Sequence, residues 1–437
     1  MTSCIQLRIA VVTAVLAAGA AHAQTSSATA GIPMRTVAPP SVKSAETIGL
    51  IRGLRQLLDG RVLVNDGGRR RVVLYDNALT KGTIVIDSTP GLANSYGRSS
   101  VPLITYLGDS TIFPDLNSSS LLVFDGKGKV ANVTAIPKAA DSYNLSAGGG
   151  AAGVDKTGRL LYRVSIRPPI PTGISASGQV VQPPQPDSAA IVRADWDTGA
   201  VDTIAKFKIQ TYSPMNSKVT PDGKRSYTSL VNPLQWMDDW TVTSDGVLAI
   251  VRGQDYHIDF VQPDGRKVSM PKMPYDWRRL TDEDKQTIQD SVRRLNDSLM
   301  TANGGGLRSM SVSNGVTTTT IIPVSYTYVP LKEMPDYYPP IRTGSVLADF
   351  DGNVWILPYT SSLGGGKGLV YDVVNSNGQL FQRVQLPEGR SIAGFAKGGV
   401  IYMMSPAPLE KPTDRPGSAG FYLERTTIQA DGATKQQ

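Results

Sequence analysis

The sequence predicts an all-β protein: a six-bladed β-propeller with a long Pro-rich loop and one helical insertion. Two rows of similar segments alternate down the chain, and each row has six members. Both rows place a short apolar strand next to a turn that carries Asp, Asn, Lys or Gly, which is the pattern of a β-hairpin. Hairpins that recur about every 40 to 50 residues are typical of propeller blades.

The two rows interleave in register along the chain. The first row reads LLDGRVLVND from Leu57, LGDSTIFPD from Leu107, DKTGRLLYRVS from Asp155, TSDGVLAIVRG from Thr243, DFDGNVWILPY from Asp349 and FAKGGVIYMMS from Phe395. The second row reads RRVVLYDNALTKG from Arg70, SLLVFDGKGKV from Ser120, AAIVRADWDTGAV from Ala189, YHIDFVQPDGRKV from Tyr256, GLVYDVVNSNGQL from Gly368 and AGFYLERTTIQADG from Ala419. Their short runs of Val, Ile, Leu, Tyr and Phe indicate strands that are covered on both faces.

Two insertions interrupt the repeat. The first, about residues 167–187, is Pro-rich and is predicted to be an extended loop between two strands of the third blade. The second, about residues 272–340, contains the one predicted helix, with Thr281 as its N-cap and a first turn of Asp282, Glu283 and Asp284. An apolar stripe on this helix is expected to pack on the propeller, with partner binding as the alternative; it consists of Ile288, Val292, Leu295 and Leu299.

The N-terminus has the pattern of a secretory signal peptide over residues 1–23. Arg8 precedes an apolar run, and Ala21-His22-Ala23 offers a small-x-small cleavage site before Gln24. The remaining predicted divisions are a flexible segment over 24–45, a single propeller domain over 46–428 and a flexible tail over 429–437. Since Cys4 is the one cysteine and lies in the signal, we expect a mature chain without disulfides. We expect it to be periplasmic or secreted, monomeric and without a membrane span.

Two points about the ring stay open in the sequence. Residues 47–54 could add their strand beside residues 421–427 and so join the ends of the ring. Residues 307–328 could hide a degenerate seventh blade, because the interval that contains them is about twice the usual length.

The hairpin rows resemble the six-bladed propellers of the NHL and TolB-like superfamily. In the second blade PLITYLGDSTIF from Pro102 and LLVFDGKGKV from Leu121 resemble exported, uncharacterised bacterial propellers, as does YHIDFVQPDG from Tyr256 in the fourth. The resemblance covers roughly residues 47–428 and implies an architecture. Because the superfamily includes binding platforms, hydrolases and lyases, it does not assign a function.

Few side chains of the usual catalytic types are present. His257 is the one histidine beyond the signal peptide, and its place in the strand YHIDF favours a packed or edge-facing imidazole. A zinc site of nitrogen and sulfur ligands therefore cannot form within one mature chain. Resemblance to sugar-lactone hydrolases would instead imply a divalent cation such as Ca²⁺, held on the ring axis by carboxylate and Asn oxygens. Three carboxylates in the repeated turns are better explained as bonding their own backbone: Asp109, Asp245 and Asp351.

Aromatic and charged residues cluster around the fourth blade and the helical insertion. The predicted binding surface consists of Trp236, Asp238, Asp239, Trp240, Arg252, Tyr256, Trp277 and Arg278. Packing between blades is the alternative for each of them. The formal charge of +7 is spread along the chain, which does not favour a nucleic-acid partner. The leading hypothesis is an extracytoplasmic module that binds a protein, peptide or glycan without a cofactor; the alternative is a metal-assisted hydrolase of the sugar-lactonase or esterase type.

Overall fold

The computed structural model describes most of the chain between residues 31 and 429. The described residues are 31–89, 95–97, 102–115, 118–136, 144–145, 152–164, 173–174, 180–181, 186–210, 216–219, 225–302, 304, 306–313, 316–363, 368–408 and 419–429. The predicted signal peptide, most of the Pro-rich loop and the tail from residue 430 lie outside this part of the chain.

Strands dominate the N-terminal half of the described chain. They are β1 (Met34–Thr36), β2 (Val42–Lys43), β3 (Ile51–Gln56), β4 (Val62–Asp66), β5 (Arg71–Tyr75), β6 (Gly82–Ile86), β7 (Ile104–Thr105), β8 (Thr111–Asp115), β9 (Ser120–Phe124), β10 (Val130–Ala135), β11 (Gly153–Val154), β12 (Leu160–Arg163), β13 (Gly173–Ile174), β14 (Val180–Val181), β15 (Ser188–Ala194) and β16 (Val201–Lys208).

The C-terminal half adds one long helix. Its elements are β17 (Asn216–Val219), β18 (Arg225–Val231), β19 (Asp239–Val242), β20 (Leu248–Arg252), β21 (His257–Val261), β22 (Lys267–Ser269), α1 (Asp282–Ala302), β23 (Gly306–Ser313), β24 (Val316–Tyr328), β25 (Val346–Ala348), β26 (Val354–Ile356), β27 (Val370–Val374), β28 (Leu380–Gln385), β29 (Ser391–Ala396), β30 (Val400–Pro406) and β31 (Phe421–Thr427), with 3₁₀ turns at Leu331–Glu333 and Tyr359–Leu363. Within the described residues, no helix is both long and apolar enough to cross a bilayer.

Six four-stranded sheets form the ring, which confirms the six-bladed propeller. From the inner to the outer strand they are β3-β4-β5-β6, β7-β8-β9-β10, β11-β12-β15-β16, β19-β20-β21-β22, β25-β26-β27-β28 and β29-β30-β31-β2. Six buried apolar clusters each join two neighbouring blades, and the last of them joins the sixth blade to the first. Each sheet is thus covered on both faces, as the near-continuous apolar strands require.

The N-terminal strands close the ring. β2 pairs with β31 and completes the sixth blade, while β1 adds a fifth, parallel strand to the fifth blade. Ile48 and Phe421 exchange backbone hydrogen bonds of 2.8 and 2.7 Å, so the predicted junction between residues 47–54 and 421–427 is present. The strand itself comes from residues 42–43, however, because β3 is already the inner strand of the first blade. Strands β1 and β2 are therefore paired with the fifth and sixth blades.

The segment that could have hidden a seventh blade, residues 307–328, belongs to a separate sheet outside the ring. β23 and β24 pair with each other, and β24 runs parallel to β18 in the order β17-β18-β24-β23. The inner strand β19 lies directly against both β11 and β25, so no further sheet is inserted in the ring at this point. The extra sheet draws on two insertions: β17 and β18 lie between β16 and β19, and β23 and β24 lie in the insertion predicted over about residues 272–340. The insertion between β16 and β19 was not predicted.

Helix α1 begins as predicted but packs differently. The backbone N–H of Asp284 donates to Thr281 Oγ1 at 3.1 Å, and that of Thr281 donates to Asp284 Oδ2 at 2.9 Å, which confirms the N-cap. The prediction that the apolar stripe packs on the propeller is wrong for Leu295 and Leu299, which are 58% and 46% exposed.

A polar face holds helix α1 against the insertion instead. Lys285 Nζ lies 2.9 Å from Asp336 Oδ1, and Gln289 Nε2 donates to the carbonyl of Val329 at 2.8 Å. Ile288 does pack, but on a small apolar cluster that belongs to the insertion loops. The helix is therefore fastened to its own insertion and not to a blade.

Candidate functional site

The central channel is a concave feature that all six blades share. Its cavity has a volume of about 610 Å³, and its wall consists of the six inner strands and the turns that follow them. Much of the wall is apolar, with Leu54, Leu103 and Phe395 among the lining residues. A cavity of this size falls in the range of about 300–1,000 Å³ that small-molecule sites occupy.

Basic side chains outnumber acidic ones on the channel wall. Arg52, Lys156 and Lys397 are exposed lining residues, and Arg55 is a buried one. None of these four residues was among the predicted site residues, and no sequence motif marks them as lining a channel.

The two acidic lining residues, Asp155 and Asp349, have their oxygens occupied. Asp155 Oδ1 accepts the backbone N–H of Thr157 at 2.9 Å, and its Oδ2 lies 2.7 Å from Arg159 Nη2. Asp349 Oδ1 accepts the backbone N–H of Asp351 at 2.9 Å, and its Oδ2 accepts the indole N–H of Trp355 at 2.8 Å. Both carboxylates therefore accept hydrogen bonds within the turn that follows an inner strand, and so stabilise that turn.

The three turn carboxylates that the sequence singled out behave differently. Asp109 Oδ2 accepts the backbone N–H of Leu58 in the neighbouring blade at 2.9 Å, and Asp245 accepts the hydroxyl of Thr243. The prediction that they bond their own backbone is therefore wrong for Asp109 and Asp245. An Asx turn needs the carboxylate two residues before the N–H it receives, and that place belongs to Asp155 and Asp349. Among the described residues, no group of three or more His, Cys, Asp or Glu side chains stands close enough to hold a metal ion.

Two of the predicted surface residues, Asp238 and Arg252, form an internal ion network with Asp259 instead. Arg252 Nη1 lies 2.6 Å from Asp238 Oδ2, and its Nε lies 2.7 Å from Asp259 Oδ2. Asp238 also accepts the backbone N–H of Lys208 at 2.8 Å, which ties the third blade to the fourth. Hydrogen bonds to Asp238 and Asp259 raise the pKa of Arg252 against the opposing effect of burial. This network stabilises the junction between the third and fourth blades.

Asp239 and Trp240 are interior residues. Trp240 is 1% exposed and packs between the third and fourth blades. Asp239 is fully buried at the start of β19; its Oδ2 accepts the backbone N–H of Val346 at 3.0 Å, while Oδ1 has no hydrogen-bond partner. Burial raises the pKa of Asp239 to about 7, and nearby backbone N–H groups, which lower it, offset only part of that effect.

Tyr256 is also buried, and it joins the fourth blade to the fifth. Its hydroxyl donates to Asp372 Oδ2 at 2.6 Å, and Arg383 Nε lies 2.8 Å from the other oxygen of that carboxylate. Burial, followed by the charge of Asp372, raises the pKa of Tyr256 well above its ordinary value. The packing alternative is therefore the one observed for this residue.

The neighbouring His257 is half-buried on β21. Its Nδ1 lies 2.6 Å from Asp255 Oδ1, and its Nε2 lies 3.2 Å from Asp259 Oδ1. Both ring nitrogens are thus occupied by carboxylates, which fits the predicted edge-facing imidazole.

Two of the remaining predicted surface residues, Trp236 and Trp277, do come together. The rings of Trp236 and Trp277 lie 5.8 Å apart, and Tyr337 meets Trp277 edge to face at 6.4 Å. Trp236 and Trp277 are half-buried, whereas Tyr337 and Arg278 are exposed. We call Trp236, Trp277, Tyr337 and Arg278 the aromatic patch.

Two insertions that are distant in sequence build the aromatic patch. Trp236 precedes β19, whereas Trp277 and Tyr337 come from the insertion before β25. A second cavity of about 260 Å³ opens between the same two insertions, with Met237 and Arg342 in its wall.

Comparisons with known proteins give no family. No protein-family model matches the chain, and no curated protein matches it. Solved structures give weak likenesses. Virginiamycin B lyase from Staphylococcus aureus is 10% identical with a TM-score of 0.37, and the alignment covers 89% of this chain and 98% of that one. A gluconolactonase from Xanthomonas campestris is 9% identical (TM-score 0.36, coverage 88% and 88%), and the calcium-binding protein regucalcin from Agrobacterium tumefaciens is 11% identical (TM-score 0.40, coverage 90% and 96%). Likenesses this weak carry no argument about activity, and the six-sheet ring is established by its own strand pairing.

Proposed function

We propose that this chain is an exported binding module that holds a protein or peptide partner at the aromatic patch. The observation that carries the proposal is that Trp236, Trp277 and Tyr337, from two separate insertions, meet with their rings partly open to solvent. Tryptophan, tyrosine and arginine are the residue types that contribute most energy in protein interfaces. Export rests on the signal-like N-terminus and so remains part of the proposal.

The surrounding fold supports a rigid binding surface. Trp277 also packs edge to face on the buried Tyr275 at 4.9 Å, and the backbones of Arg279 and Tyr337 form a β-bridge. A partner would therefore meet rings that are already held in place, which lowers the entropy lost on binding. A glycan stacked on the same rings is the second ligand class that the patch could hold.

The channel chemistry gives less support to a metal-assisted hydrolase. That reaction needs free oxygen donors that converge on one ion and a further carboxylate as base. The oxygens of Asp155 and Asp349 are instead engaged with turn N–H groups, a guanidinium and an indole. Metal analysis of the purified mature protein tests this alternative, since stoichiometric Ca²⁺ or Zn²⁺ would favour the hydrolase.

The binding proposal is tested on arrays of envelope proteins, peptides and glycans. We expect the wild type to bind at least one protein or peptide. Trp277→Ala and Tyr337→Ala should each weaken that binding about tenfold or more, because truncating an aromatic hot-spot residue costs about 2 kcal/mol or more of binding free energy. Phe381→Ala is the matched control, since Phe381 is a partly exposed aromatic residue on β28, away from the patch. Equal binding by the patch variants and the wild type would contradict the proposal.

A further inference from the structure

Arg55 is a buried guanidinium with unused hydrogen-bond donors on the channel wall. It is 5% exposed and lines the channel, and its Nε has no hydrogen-bond partner. The nearest carboxylate oxygen is Asp109 Oδ1, 3.7 Å from Nη2, which is too far for a hydrogen bond. That oxygen of Asp109 likewise has no hydrogen-bond partner.

Two other arginines of this ring, Arg159 and Arg252, are paired more closely. Arg159 Nη2 lies 2.7 Å from Asp155, and Arg252 Nη1 lies 2.6 Å from Asp238. Distances of about 2.7–2.9 Å are those of charge-assisted hydrogen bonds. Arg55 has in their place the more distant carboxylate of Asp109 at 3.7 Å and the ring of Phe350, whose centroid is 5.0 Å from its Cζ.

This arrangement leaves a charge that a ligand could satisfy. Burial lowers the pKa of Arg55 from its ordinary value, and the charge of Asp109 partly restores it. Guanidinium groups in proteins keep their proton. Removing a guanidinium from water is costly unless acceptors replace the lost hydration. Planar oxyanions provide such acceptors in matching geometry.

The rest of the channel wall suits an anion with an apolar body. Lys156 and Lys397 lie in turns that follow inner strands, so two further cations stand on the same wall as Arg55. The two acidic lining residues have their oxygens engaged within the wall. Leu103 and Phe350 add apolar surface beside these charges.

We propose that the central channel binds a small organic anion, with a carboxylate or phosphate group on Arg55 and an apolar body against the channel wall. This site is separate from the aromatic patch and does not depend on the function proposed for that patch.

Titration calorimetry at low ionic strength tests the site with benzoate, phenyl phosphate and the uncharged analogue benzamide. We expect at least one of the two anions to bind about tenfold or more tightly than benzamide, with an affinity that falls as salt is added. The anion that binds more tightly then distinguishes a carboxylate ligand from a phosphate ligand.

Variants assign the binding to Arg55. Arg55→Met keeps the length of the side chain but removes its charge, and we expect it to weaken anion binding about tenfold or more. Arg266→Met, at an exposed turn arginine outside the channel wall, is the matched control and should stay within about twofold of the wild type.

Lys397→Met is a second variant of an exposed lining residue and should also weaken binding, which keeps the test usable if Arg55→Met does not fold. The proposal is overturned if neither anion binds at millimolar concentration, if benzamide binds as tightly as the anions, or if the channel variants match the wild type.

Discussion

Replacing Asp239 by asparagine is expected to stabilise the protein at neutral and alkaline pH. The carboxyl is fully buried and burial raises its pKa to about 7, whereas the unfolded chain has the ordinary value of 3.8. Between these two values the unfolded state is ionised while the folded state keeps its proton. The contribution of Asp239 to the free energy of unfolding is therefore intact below about pH 4 and is lost as the pH rises to about 7.

The size of the effect follows from the gap between the two pKa values. A gap of roughly three pH units, at about 1.4 kcal/mol per unit, corresponds to roughly 4 kcal/mol by pH 8. Asparagine has the same shape, its oxygen can still accept the N–H of Val346, and it carries no charge at any of these pH values. The increase in the free energy of unfolding of Asp239→Asn over the wild type should consequently be near zero at about pH 4 and largest at about pH 8.

Urea unfolding of the wild type and Asp239→Asn at about pH 4, 6 and 8 measures this difference. Asp264→Asn is the control, because Asp264 is an exposed turn carboxylate in the same blade and its replacement should give no comparable pH trend. A stability difference that stays flat with pH, or an asparagine variant that loses stability as the pH rises, would refute the reasoning.

Three further substitutions or cleavages test other parts of the structure. Tyr256→Phe should lower the free energy of unfolding by about 1–3 kcal/mol, since it leaves Asp372 without its hydroxyl donor. Chemical denaturation measures the loss, and an unchanged midpoint would count against the link between the fourth and fifth blades. Gly246→Ala should cost more than about 2 kcal/mol, because its φ is +83° and a Cβ would lie 2.7 Å from the Asp155 backbone. Thermal unfolding compares it with Gly265→Ala, which shares the positive φ but whose Cβ would meet no atom, so that this control should cost only the backbone strain of about 1–2 kcal/mol. Mass spectrometry of the exported protein should find Gln24 as its first residue, and a retained N-terminus would contradict the predicted signal peptide.

The sequence by itself determined the ring. Hairpin turns and apolar strands are local features, so their repeats can be counted without knowing what they contact, and the six members of each row correspond to the six sheets. The helix start at Thr281 was equally readable, because a capping box depends on residues three apart. The aromatic patch was partly predictable, since Trp236 and Trp277 belong to residue types that favour interfaces.

Only the tertiary structure decided which side chains face outward. Trp240, Asp239 and Tyr256 have the same residue types as a binding surface but lie between blades, because neighbouring sheets cover both faces of each strand. Leu295 and Leu299 stayed exposed because the insertion holds its helix by the polar face instead. Likewise Arg55 is one arginine among many in the sequence; its buried place on the channel wall exists only once the blades have closed around the axis.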